Sequence, residues 1–258
     1  MAVQIDKRAS HNQSKRVHPA VAEKLTEPRW AWAAYQPDAQ RPWNLTQAGH
    51  LFRRAAFGAG WDQLQQALSD GPQRAVDKLL RPQADLAAFN RAYDGYEASA
   101  ARSLDGLRAW WLRRIIQTPR PLLEKMTLFW HSHFATSIVK VKNPGLMLRH
   151  VQLLRSQALN SFRDMLQGIS RDPAVLICLG ADANRKALPN ENFVRPLMEF
   201  FTLSPGHYTE KDVREAARAF TGWFALGAGF AISLANTMEI SRRSLVRGAT
   251  LRATMLYG

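Results

Sequence analysis

Apolar side chains recur at helical spacing along most of this chain, and this periodicity limits the fold more than any other feature. Leu107, Trp111 and Ile115 follow one another at four-residue steps, which places them on one face of a helix. Helix-start signals precede other such segments, as at Asp172-Pro173 and at Thr209. No segment alternates polar and apolar residues with a period of two, and no repeat of fixed length is present. The sequence therefore predicts an all-α fold, a single helical domain that is not a solenoid.

The net charge of +14 is unevenly distributed along the chain. Residues 161–223 are neutral, whereas residues 101–160 combine ten cations with two carboxylates. The ten cations, here called the basic stripe, are Arg102, Arg108, Arg113, Arg114, Arg120, Lys125, Lys140, Lys142, Arg149 and Arg155. Such a stripe attracts phosphate or acidic surfaces, although cations also serve simply to solvate helix faces. Without a nucleic-acid motif, the expected partner is an acidic protein or a polyanion rather than a specific nucleic-acid sequence.

The first 40 residues are polar and basic, and we predict that they form a flexible, disordered segment. They lack the apolar stretch of a signal peptide, and no segment of the chain reaches the length of a membrane span. The default location is therefore the cytoplasm. The single cysteine, Cys178, lies in an apolar run, which predicts a buried and unreactive thiol.

Several motifs follow one another in a fixed order between His50 and Trp223. They are HLFRRAAFG at 50–58, LRAWWLRR at 107–114, the segment 119–137, the polar run DANRKALPNEN at 182–192, and the stretches 193–204 and 208–223. In these motifs the chain resembles the DUF1800 family of bacterial proteins. That family has no established activity, so the resemblance implies a fold and a motif order but no reaction. Longer relatives often carry export signals, which makes export the alternative to a cytoplasmic location.

Two departures from the family pattern bear on the function. Pro196 stands where the family usually has a glutamate, so a carboxylate is lost, and the resemblance ends at Trp223 although family members continue. We therefore expect a truncated or altered member in three parts: a basic segment over 1–40, a helical domain over 41–223 and an atypical tail over 224–258. Apolar faces left uncovered by a missing C-terminal region predict self-association.

The polar run at 182–192 carries more charge than a turn requires. With His131, its polar side chains and the arginine that follows form a candidate polar site: Asp182, Asn184, Asn190, Glu191, Asn192 and Arg195. Arg185 and Lys186 would oppose a bound cation, but beside a helix N-terminus they suit an anion. The structural alternative is that Asn190 caps the next helix and Glu191 lies in its first turn.

His131 and His133 are the remaining candidates for chemistry. Imidazoles two residues apart diverge on a helix, so we expect His133 in the core and His131 over the other face. Were the helix to end near Ser132, the two rings could converge on a metal ion or form an acid–base pair. Two histidines alone make an incomplete zinc site, and no metal site is predicted.

Two functions stay open on this evidence. One is a helical partner or anion-binding protein without catalysis; the other is a hydrolase-like enzyme whose site joins the 182–192 loop to His131. Gly-x-Ser-x-Gly, His-Glu-x-x-His, the P-loop and the dinucleotide fingerprint are all absent from the sequence. The sequence therefore identifies neither a nucleophile nor a cofactor, and the first function is favoured.

Overall fold

The computed structural model describes residues 33–82 and 86–237, and the chain divides into two units, Met1–Trp43 and Asn44–Gly258. Most of the predicted flexible segment, and the tail beyond Thr237, lie outside the described residues. In the first unit, the carboxylate of Asp38 closes a turn by accepting hydrogen bonds from backbone N–H groups that follow it. All of the elements given below belong to the second unit.

Helices make up most of the second unit, which confirms the predicted fold class. They are α1 (Leu45–Ala55), α2 (Trp61–Leu80), α3 (Leu86–Ala100), α4 (Leu104–Gln117), α5 (Pro121–Phe134), α6 (Ile138–Val141), α7 (Pro144–Gln157), α8 (Phe162–Ser170), α9 (Pro173–Cys178), α10 (Val194–Pro196) and α11 (Glu210–Ala219). Two short 3-10 helices, Ala181–Ala183 and Leu234–Asn236, and a π-helix, Leu197–Thr202, complete the helical part. No helix that the structure describes has both the length and the apolar composition needed to cross a membrane.

Local sequence signals explain where several helices begin. The side chain of Ser103 accepts a hydrogen bond from a backbone N–H in the first turn of α4. Asn143 does the same for α7, where Pro144 takes the first helical position and needs no hydrogen-bond donor. At α11, Thr209 and Asp212 form the predicted capping box, each accepting the other's backbone N–H. Capping residues that can be recognised in the sequence therefore determine where these three helices begin.

Two clusters of buried side chains form the core of the second unit. The larger cluster joins α5, α7 to α11 and the π-helix around Phe134, Phe193, Phe220 and Trp223. The smaller cluster joins α3, α4, α6, α7 and α9. Cys178 lies in the smaller cluster and is buried, as predicted. Since α7 and α9 contribute to both clusters, they connect the two halves of the core.

A β-hairpin follows α11 and adds a small sheet to the helical fold. Its strands β1 (Trp223–Leu226) and β2 (Gly229–Ile232) pair antiparallel. The Trp223 ring is buried between those of Phe220 and Phe230, at centroid distances of 4.7 and 4.9 Å. Strands of four residues are too short to show an alternating pattern, so they are not predictable from the periodicity of the sequence. The predicted boundary after Trp223 falls inside β1, and the three-part division stays a prediction.

Pro196 lies at the end of α10, which runs directly into the π-helix. A proline in the first turn costs little because no carbonyl four residues earlier requires its donor. In the turn that follows, the backbone N–H of Leu203 donates to the carbonyl of Met198, five residues earlier, at 2.8 Å. The hydroxyl of Thr202 likewise donates to the carbonyl of Leu197 at 2.7 Å. The turn is therefore one residue wider than an α-helical turn.

Candidate functional site

Asn184 is the buried member of the 182–192 loop, with 2% of its surface exposed. Its Nδ2 donates to the carbonyl of Ala217 in α11, and its Oδ1 accepts from the backbone N–H of Asn190, both at 2.8 Å. Its own carbonyl accepts from the backbone N–H of Gly222 at 2.9 Å. Asn184 therefore attaches the loop to α11 and to the start of the hairpin, and its side chain is not free to bind a ligand.

We expect the replacement Asn184→Ala to lower the free energy of unfolding by about 2–3 kcal/mol, because it removes two buried hydrogen bonds and leaves their partners unpaired. Urea denaturation followed by circular dichroism measures this loss. Asn192→Ala is the matched control, since the Asn192 side chain is exposed on the same loop. Equal losses in the two variants would contradict the structural role of Asn184.

Arg195 is held by two carboxylates rather than open to a ligand. Its guanidinium donates to Glu210 at 2.9 and 2.7 Å and to Glu191 at 2.6 Å. These hydrogen bonds, first to Glu210 and then to Glu191, raise the pKa of Arg195, and the bond from Arg195 lowers the pKa of Glu210. The structural alternative, in which Asn190 caps the next helix, is not what the structure has: Oδ1 of Asn190 accepts from the backbone N–H of Asn192, and Phe193 is the residue that precedes α10.

Arg185 and Lys186 are exposed, and their backbone N–H groups are already used. That of Lys186 donates to the carbonyl of Asn236 at 2.9 Å, and that of Arg185 to the carbonyl of Leu188 at 3.4 Å. The next helix begins only at Val194. Helix N–H groups therefore do not add to the charge of this pair, and its anion binding stays a prediction that depends on the two side chains alone. Asp182 and Arg185 do line one side of a cleft of about 260 Å³ beside the hairpin.

His131 and His133 diverge, as expected for a helix that continues to Phe134. His133 Nε2 lies 3.2 Å from the carbonyl oxygen of Phe201 in the π-helix. His131 instead contacts the rings of Trp111 and His150, at centroid distances of 5.2 and 5.6 Å. The cleft of about 260 Å³ beside the 182–192 loop is not lined by His131. The two parts of the hypothetical hydrolase site therefore have separate neighbours.

A buried His150–Asp172 pair was not identified from the sequence. Nδ1 of His150 donates to Oδ2 of Asp172 at 2.7 Å, while Oδ1 of the same carboxylate accepts from the backbone N–H of Ala174 at 2.8 Å. Burial, and to a smaller extent the neighbouring His150, lower the pKa of His131 from 6.5 to about 4, so His131 is neutral near pH 7. The signal in the sequence for this pair is the helix cap predicted at Asp172. A cap does not reveal which second group will hydrogen-bond to the same carboxylate.

A second missed feature is a cleft of about 470 Å³ where α3, α4, α5 and α7 converge, here called the arginine cleft. Its lining residues are Asn90, Glu97, Trp110, Arg114, Arg120, Leu123, Gln152, Arg155, Ser156, Leu159 and Asn160. Three members of the basic stripe, which the sequence spreads along three segments, therefore meet in one place. Part of the basic stripe therefore forms a concave site.

A buried carboxylate holds two of these arginines in place. Oε1 of Glu124 accepts from Nε of Arg155 at 2.5 Å and from Nε of Arg114 at 3.3 Å, and Glu124 is fully buried. Burial, and then repulsion by Arg155, lower the pKa of Arg114. Nη2 of Arg114 also donates to the Asn90 side chain at 2.5 Å. The two guanidinium groups are thus fixed side by side against their mutual repulsion.

Some of the guanidinium donors in the arginine cleft are not used by the described part of the protein. Within residues 33–82 and 86–237, neither the guanidinium of Arg120 nor the Nη groups of Arg155 donate a hydrogen bond. Counting the three arginines against the carboxylates of Glu97 and Glu124 leaves one net positive charge. The arrangement can bind an anion of a few non-hydrogen atoms without displacing an existing contact.

Comparison with known proteins gives one match. The model of a family described as "Protein of unknown function (DUF1800)" matches residues 50–250, beyond the stretch from His50 to Trp223 in which the motifs were found. No curated protein and no solved structure matches the chain.

Proposed function

Because the chain belongs to the DUF1800 family, whose description names no function, we propose from its own geometry that it is an anion-binding protein and that the arginine cleft is its binding site. One observation supports this most directly: Arg120 and Arg155 line a concave site, and among the described residues neither the Arg120 guanidinium nor the Nη groups of Arg155 donate a hydrogen bond. Arginine at such a site favours planar oxyanions, which it binds through two parallel hydrogen bonds.

Burial makes this site stronger than the exposed cations of the chain. Arg114 has 3% of its surface exposed, and the cleft lies between four helices, so solvent and salt screen its charges less than they screen a surface pair. The buried Glu124 fixes Arg114 and Arg155 before any ligand binds, which reduces the conformational entropy lost on binding. By contrast, Arg185 and Lys186 extend into solvent from a loop.

The size and lining of the cleft favour a phosphate or carboxylate group carried by a small molecule or by an acidic partner. The apolar side chains of Trp110, Leu123 and Leu159 cover part of the wall, while Asn90 and Gln152 supply further polar groups. An anion with a short organic body would contact both kinds of surface. This extends the expectation of an acidic or polyanionic partner to a defined site.

We expect Arg120→Ala to weaken the binding of inorganic phosphate about 10- to 100-fold, because one charged hydrogen-bond donor contributes about 1.5–3 kcal/mol. Isothermal titration calorimetry of the wild type and the variant measures the change. Arg120 is the suitable position because its side chain has no partner among the described residues, so the fold does not depend on it.

Two further variants make this test decisive. Arg102→Ala removes an exposed cation of the same stripe and controls for the loss of one charge, so it should leave the affinity unchanged. The double variant Arg185→Ala/Lys186→Ala examines the loop. If this double variant abolishes phosphate binding while Arg120→Ala does not, the loop is the anion site and the arginine cleft is not.

A further inference from the structure

The hydrogen bond from His150 to Asp172 determines which nitrogen of the imidazole is available. Because a carboxylate only accepts, Nδ1 of His150 is the donor, and in the neutral ring Nε2 keeps a lone pair. A histidine whose second nitrogen donates to a carboxylate is the usual arrangement around protein-bound transition metals, since the carboxylate orients the ring and raises its basicity. The Asp172 carboxylate therefore orients His150 in the way that carboxylates orient metal-binding histidines.

Two nitrogen atoms on neighbouring imidazole rings are buried and have no hydrogen-bond partner within the described part of the chain. They are Nε2 of His150 and Nδ1 of His131. His150 is fully buried, whereas His131 is only partly so. Nitrogen atoms buried without a partner cost about 1–3 kcal/mol each, so two of them on contacting rings point to a group that binds both.

The spacing of the rings fits such a group. Two imidazoles that bind one ion through nitrogens at about 2.0–2.1 Å have ring centres roughly 5–6 Å apart. The centroids of His131 and His150 are 5.6 Å apart, and the ring planes are inclined at 61°. The edge-on contact of Trp111 with His131 limits rotation of the second ring.

We propose that His131 and His150 bind one first-row transition-metal ion of the zinc type, through Nδ1 and Nε2 respectively. Imidazole nitrogen is a preferred ligand for such ions. Within residues 33–82 and 86–237 no group of three or more His, Cys, Asp or Glu residues is arranged to hold a metal. In the proposed site the described residues supply two ligands, and water or a small anion would complete the coordination. Asp172 acts as a positioning residue, since its carboxylate orients His150 without binding the ion.

The test is a titration of chelator-treated full-length protein with Co²⁺, whose visible absorption reports coordination by nitrogen, followed by displacement with Zn²⁺. We expect one ion per chain. His131→Phe keeps an aromatic ring next to Trp111 and should lower the affinity at least tenfold, and Asp172→Asn should lower it about 10- to 100-fold through loss of the supporting carboxylate.

His133→Asn is the matched control, because His133 lies two residues away and its ring meets the carbonyl of Phe201 instead. Its affinity for Co²⁺ should equal that of the wild type. Near-ultraviolet circular dichroism of each variant shows whether the core is intact. If the wild type binds no Co²⁺, or if folded His131→Phe binds it as tightly as the wild type, the proposed site does not exist.

Discussion

Replacing Glu124 by alanine should lower the free energy of unfolding by about 3–5 kcal/mol, because the variant leaves buried arginine charge without its counterion. Glu124 is fully buried, and the Arg114 that it binds has 3% of its surface exposed. Arg114 cannot move into water without opening the packing of α4 against α5. Chemical denaturation monitored by circular dichroism measures the loss.

Two comparisons separate this effect from the general cost of removing a salt bridge. Glu215→Ala breaks the surface pair with Arg218 and should cost less than about 1 kcal/mol. Glu124→Leu combined with Arg114→Met and Arg155→Met removes the carboxylate and both guanidinium groups that it binds, and should recover most of the stability, as apolar replacements of buried ion pairs do elsewhere. If Glu124→Ala costs no more than Glu215→Ala, the carboxylate is not what fixes the arginine cleft.

Trp223→Ala should cost about 3–5 kcal/mol, the range for removing a large aromatic side chain from a packed core. The Trp223 side chain is 1% exposed and contacts Phe193, Phe220 and Phe230. Its Nε1 has no partner among the described residues, so the loss measures packing rather than a hydrogen bond. Thermal and urea unfolding of the variant give the value.

Trp61→Ala is the control for this prediction, because 64% of the Trp61 surface is exposed and the same atoms are removed. A loss below about 0.5 kcal/mol is expected there. The comparison also bears on the hairpin. If both variants lose equally little unfolding free energy, the chain beyond Trp223 is separable from the helical core. That result would agree with the predicted three-part division.

The helices were predictable because their signals are local. The cap at Asp172 and the box at Thr209 operate within four residues, so the sequence contains the whole interaction. The hairpin was not predictable, because strands of four residues are fixed by packing against Phe220 rather than by their own pattern. Where tertiary contacts determine an element, one sequence gives too little information.

The candidate site was predicted less well than the fold, for a related reason. The position of Asn184 in a polar loop predicts a ligand-binding side chain, but its amide instead donates to the carbonyl of Ala217. Arg114 and Arg155 are far apart in sequence and meet only because α4, α5 and α7 converge. His150 lies in the interior of α7, whereas Asp172 caps the start of α9. Spacing along the chain cannot reveal such pairs.

The wide turn after Pro196 has a consequence for how chain length can vary here. Inserting or deleting one residue in an α-helix rotates everything beyond it by about 100°, which moves the apolar face off the core. The turn closed by Leu203 and Met198 already contains one residue more than an α-helical turn. A single-residue deletion there would return the turn to regular geometry and keep the phase of the flanking residues. Among the helical segments in the described part of the second unit, this is therefore a place where evolution could shorten the chain by one residue without repacking the core.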